Sequence, residues 1–149
     1  MATVSTSPQS TDHLDKIRED WLARLSELIN QVDGWCFGFG WSSKRIDKKM
    51  DDPEIGSYQA PTLLLQAGVT RVILEPISRS VPGAEGVVDL YQLPAHDDTA
   101  TLLSQHGRWW IRYPMPDDPI AESTGAVDLK PLTSEVVHAV LAEMIRHAS

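Results

Sequence analysis

The sequence predicts an α+β domain. It should have two layers, with a mainly antiparallel sheet of about five or six strands covered on one face by an N-terminal and a C-terminal helix. Three observations predict this. Apolar residues recur at three- and four-residue steps near both ends of the chain, the mark of helices with one buried side. Between them lie short apolar runs bounded by Gly and Pro. Two pairs of runs are separated only by Ala67-Gly68 and His106-Gly107, spacings that suit tight hairpins and therefore antiparallel pairing. A chain of 149 residues fits one such domain, expected over residues 11–149. Ser/Thr-rich Met1 to Ser10 is expected as a disordered tail.

The first helix is expected from Thr11 to Val32. Leu14, Ile17, Trp21, Leu25, Leu28 and Val32 form its stripe, Thr11 caps it, and Asp12 and Asp15 suit its first turn. Asp33-Gly34 should close it, because glycine takes the left-handed conformation at a helix end. Cys36 to Trp41 then reads as a strand. In a strand, Trp35, Phe37, Phe39 and Trp41 point one way, with Cys36, Gly38 and Gly40 on the other side. So much aromatic surface is expected inside, since an exposed patch of that size is unusual for a monomer.

Ser42 to Asp51 is polar and charged, readable as a short helix, and Asp52 to Tyr58 reads as a loop. Thr62 to Gln66 and Val69 to Glu75 are expected as one hairpin, with pairing weakened at Pro76. Val81 to Gly86 is a turn, and Val87 to Leu93 a strand ended by Pro94. Thr101 to Gln105 and Arg108 to Tyr113 make the second hairpin. Pro114 to Pro131 is a long connection with room for a short strand near Ala126 to Leu129. Thr133 to His147 is the last helix. Thr133 caps it, and Val137, Val140, Leu141 and Met144 form its buried stripe.

Charge and cysteine use narrow the function. A formal net charge of -8 repels nucleic acid and anionic membranes overall. Cys36 is the sole cysteine, which excludes an internal disulfide and a thiolate metal site and suits a reducing, cytoplasmic compartment. Met1 to Ser10 lacks the features of a secretory signal, and no apolar run is long enough to span a bilayer. Gly-X-Ser-X-Gly and Gly-Lys-Ser/Thr signatures are absent, and no two histidines are spaced as a helical ligand pair.

Three groups of residues are candidates for function. Lys44, Arg45, Lys48 and Lys49 make a basic cluster able to meet a phosphate or an acidic partner. Glu75 ends one strand, Asp89 lies inside another, and His96, Asp97 and Asp98 follow Pro94; carboxylates on adjacent strands are a way to hold a catalytic cation. The aromatic strand, beside the basic cluster, is a stacking surface if its rings are exposed. No complete catalytic set, cofactor motif or metal site is visible. The expectation is therefore a non-catalytic binding or adaptor domain that contacts a protein partner or a second copy of itself. A metal-dependent, phosphodiesterase-like hydrolase using Glu75, Asp89, His96 and Asp97 is one alternative. A single-stranded nucleic-acid binder is the other.

Overall fold

A computed structural model describes residues 8–116 and 129–148. The chain runs α1 (Pro8–Gly38), β1 (Ser42–Asp52), β2 (Gly56–Ala67), β3 (Thr70–Ser78), β4 (Val87–Gln92), β5 (Thr99–Gln105), β6 (Arg108–Arg112), β7 (Leu129–Pro131) and α2 (Ser134–Ala148). All seven strands form one antiparallel sheet in chain order, β1 to β7. The expected α+β architecture is present, with one or two strands more than expected. Met1 to Ser7 and Ala126 to Asp128 lie outside the described residues.

The principal correction concerns α1. Gly34 does not close it; the helix continues to Gly38, so Trp35, Cys36 and Phe37 are helical and there is no aromatic strand. The reason is burial. The stripe of Trp21, Leu25, Leu28 and Val32 continues at the next helical step to Cys36, which is buried. One helical glycine, costing about 1 kcal/mol against alanine, is outweighed by that packing. Gly40 is the true terminator. Its φ is 91°, Trp41 N–H donates to Cys36 O at 2.9 Å, and Gly40 N–H donates to Phe37 O at 3.1 Å. This is the paired bonding of a Schellman cap, and Trp41 and Cys36, both buried, supply its apolar contact. The helix also starts at Pro8 rather than Thr11, so Asp12 and Asp15 lie beyond its first turn.

The second correction is β1. Its residues read as a polar segment, but they pair with β2 in continuous register from Ser42↔Gln66 to Asp52↔Gly56. Ser42 to Asp47 are exposed, because β1 is the edge of the sheet. It therefore carries little of the hydrophobic alternation that reveals a strand. The loop expected over Asp52 to Tyr58 shrinks to a turn at residues 53–55, held by Asp52 Oδ1 accepting from Glu54 and Ile55 N–H at 2.8 and 3.1 Å. The first hairpin turns one residue later than expected: Ala67 pairs with Thr70, leaving Val69 95% exposed at the tip.

The remaining elements follow the sequence. His106 and Gly107 both have positive φ, 52° and 75°, as a two-residue turn of the mirror-image type requires. Pairing slips between Pro76 and Ser78. Thr133 Oγ1 accepts from Val136 N–H at 3.2 Å, and Val137, Val140, Leu141 and Met144 are buried. Both helices cover the sheet face that carries Leu63, Leu65, Val72, Leu74, Val88, Leu90, Ala100, Leu102 and Ile111. Glu75 and Asp89 project from the opposite, outer face by alternation.

Candidate functional site

Glu75 and Asp89 are direct partners across β3 and β4. Like charges in that position repel, and each carboxylate is held by its own counter-group. Lys48, reaching from β1, places Nζ 3.4 Å from Glu75 Oε2 and donates to Pro76 O at 2.9 Å. Tyr91, two residues along β4 on the same face, donates its hydroxyl to Glu75 Oε1 at 3.0 Å. His96 comes back from the β4–β5 connection and stacks on Tyr91, with ring centroids 3.6 Å apart. That stack brings His96 Nε2 to 3.2 Å from Asp89 Oδ2.

Burial pushes the Asp89 carboxyl above the ordinary range; His96 draws it back and Glu75 adds to the rise. Burial and the hydrogen bond to Glu75 likewise raise the Tyr91 hydroxyl. The cluster thus joins an acid held towards its protonated form to a histidine and a second carboxylate. These are the components of proton transfer. None of the described cavities is lined by Glu75 or Asp89. Among the described residues, no three His, Cys, Asp or Glu side chains are grouped to hold a metal ion.

Asp97 does not join this cluster. It lines a separate hollow of about 450 Å³ with Leu93, Pro94, Asp98 and His147. There Asp98 accepts from the Tyr113 hydroxyl at 2.6 Å and lies 2.9 Å from His147 Nδ1. Burial, then Asp98, raise the Tyr113 hydroxyl. This second cluster ties the β4–β5 connection to β6 and the end of α2. Tyr113 and His147 carry no motif in the sequence, Asp98 stands out only as part of the acidic group after Pro94, and only the fold brings these three together.

The basic residues are distributed by strand alternation. Lys44 and Lys48 share the outer face, and Arg45 and Lys49 the other; a four-residue step keeps residues on one side in a strand as in a helix. Arg45 pairs with Asp33 on α1 at 3.2 Å and Lys48 with Glu75, while Lys44 and Lys49 are exposed. The alternative of a stacking platform has no strand to carry it, and the four rings expected inside are only partly so. Trp41 is buried, Trp35 and Phe39 are half-buried, Phe37 is 80% exposed, and Phe39 stacks on His138 with centroids 4.1 Å apart. Burial, then Asp33, push the Cys36 thiol up to about 12, so it stays a protonated, apolar group.

No protein-family model matches the chain, and neither a curated protein nor a solved structure is significantly similar to it. Among the described residues no helix is long and apolar enough to cross a membrane.

Proposed function

We propose that this chain is a non-catalytic binding domain that takes an extended, acidic segment of a protein partner along the free side of β1. The position of β1 carries the reading. It is an 11-residue strand at the edge of the sheet, paired with β2 on one side and with no second neighbour among the described residues. Such a strand offers its outer N–H and C=O groups to an added strand. Its exposed Lys44, Arg45 and Lys49 favour carboxylates on the partner. The same cations oppose pairing of β1 with β1 of a second copy, a known use of lysine at sheet edges. A cytoplasmic location belongs to this reading, supported by a sole cysteine that is buried and free.

A fluorescein-labelled peptide alternating Glu with Val tests it. Binding at low salt should raise the anisotropy and protect alternate β1 amides between Ser42 and Asp47 from hydrogen exchange. Lys49→Glu should weaken binding and leave the melting temperature unchanged. Absence of both signals with the native protein overturns the reading.

The cross-strand pair Glu75 and Asp89 favours a second reading, hydrolysis assisted by a divalent cation. Mg²⁺ or Mn²⁺ should then raise the melting temperature by mass action. Unchanged melting at millimolar metal removes it.

A further inference from the structure

Lys44 and Arg71 flank a cavity of about 250 Å³ on the outer face, at the end of the sheet where β1 begins. The register builds it. Lys44 stands opposite Leu64 on β2, while Gln66 stands between Ser42 on β1 and Arg71 on β3. Leu64 and Leu93 give the cavity an apolar floor, and Ser42 and Gln66 give it a polar rim. No carboxylate is among its described lining residues.

The chain as a whole carries 21 acidic residues against 13 basic ones. Several other cations meet carboxylates: Arg45 meets Asp33, Lys48 meets Glu75, and Arg79 meets Asp52 and Glu54. Lys44 and Arg71 have no ion pair or side-chain hydrogen bond to any described residue. Lys44 and Arg71 both line this partly apolar space, and an anion seated in it is attracted by both charges. A guanidinium fork matches the planar geometry of a carboxylate, and an ammonium group adds a point charge. The volume falls below the roughly 300–1,000 Å³ of sites for drug-sized ligands, which points to a small molecule.

We propose that this cavity binds a short aliphatic carboxylate, its head group between Lys44 and Arg71 and its chain on Leu64 and Leu93. The cavity shares Lys44 and the start of β1 with the proposed strand addition, but its test uses neither the peptide nor Lys49→Glu and its variant is Arg71 on β3, so either reading can fail alone.

Butanoate, 1-butanol and inorganic phosphate are titrated separately into the ¹⁵N-labelled protein at low salt. Butanoate should shift the Gln66 side-chain amide and the Arg71 Nε–H resonance along a saturable curve. Arg71→Gln, an exposed substitution, should weaken butanoate binding by about tenfold or more, as loss of a charged hydrogen-bond partner requires. Butanol shifting Gln66 equally well would overturn the role of the cations. Phosphate binding as tightly as butanoate would overturn the carboxylate assignment. No saturable shift with butanoate would remove the site.

Discussion

Trp21 Nε1 donates to the Tyr58 hydroxyl at 2.8 Å, joining α1 to β2 inside the core. Both side chains are buried, and burial raises the Tyr58 hydroxyl above its ordinary range, so it persists as a neutral acceptor. An indole N–H in that position has no water to turn to.

Tyr58→Phe removes the acceptor while keeping the ring. The stranded indole N–H should cost about 1–3 kcal/mol. The check is urea unfolding, with a lower midpoint at an unchanged slope.

The same indole explains Gly86. A Cβ built there would lie 2.5 Å from Trp21 Cζ3 and 2.9 Å from Cη2. Gly86→Ala should therefore destabilise by about 1–3 kcal/mol, the usual range for overpacking. Combining it with Trp21→Leu should cost less than the two single changes added together, because the clash is shared. Additive losses would show that the contact is not the cause.

Two glycines separate the observed end of α1 from the expected one. Gly34 is inside the helix with open space where a Cβ would stand, whereas Gly40 has φ of 91°. Gly34→Ala should stabilise by about 0.5–1 kcal/mol. Gly40→Ala should destabilise by about 1 kcal/mol or more, since L side chains avoid that conformation. If the helix ended at Gly34, the signs would be exchanged. Thermal unfolding of the two variants decides it.

Asp89 gives a pH dependence with a definite sign. Its carboxyl is raised in the folded protein, chiefly by burial, so the native state holds this proton to higher pH than the unfolded chain. Ionisation then opposes folding, and its contribution to stability falls as pH rises through the carboxylate range. Asp89→Asn should raise the melting temperature at pH 7. At pH 3, where the carboxyl is protonated in both states, the variant should match the native protein. A gain of equal size at both pH values would show that charge is not involved.

What the sequence revealed was what depends on neighbours along the chain. The last helix is visible because its cap, Thr133, and its stripe lie within a few turns of one another. The hairpin at His106-Gly107 is visible because two residues determine it. β1 was hidden because its stability comes from backbone pairing with β2, and Ser42 to Asp47, exposed on both faces, show no clean alternation. The true end of α1 was legible in principle: Cys36 continues the stripe by one more step, but the Asp33-Gly34 stop signal obscured it. Glu75 and Asp89 stand out as strand carboxylates. Their direct opposition depends on non-local register, and the return of His96 depends on a stack with Tyr91. Arg71 gave no signal, since nothing near it in the chain indicates that Lys44 lies across the same cavity.

In this sheet every strand's neighbour is the next one along the chain. Strand pairing can therefore proceed stepwise through small closures, each with a modest entropic cost. The long closures are those of α1, which meets Glu85 and Ser104 through Arg24 and also meets α2, the last described element. Assembly should accordingly be fast for a β-rich domain until that last docking. A covalent link between the two helices should speed refolding more than a link within any hairpin.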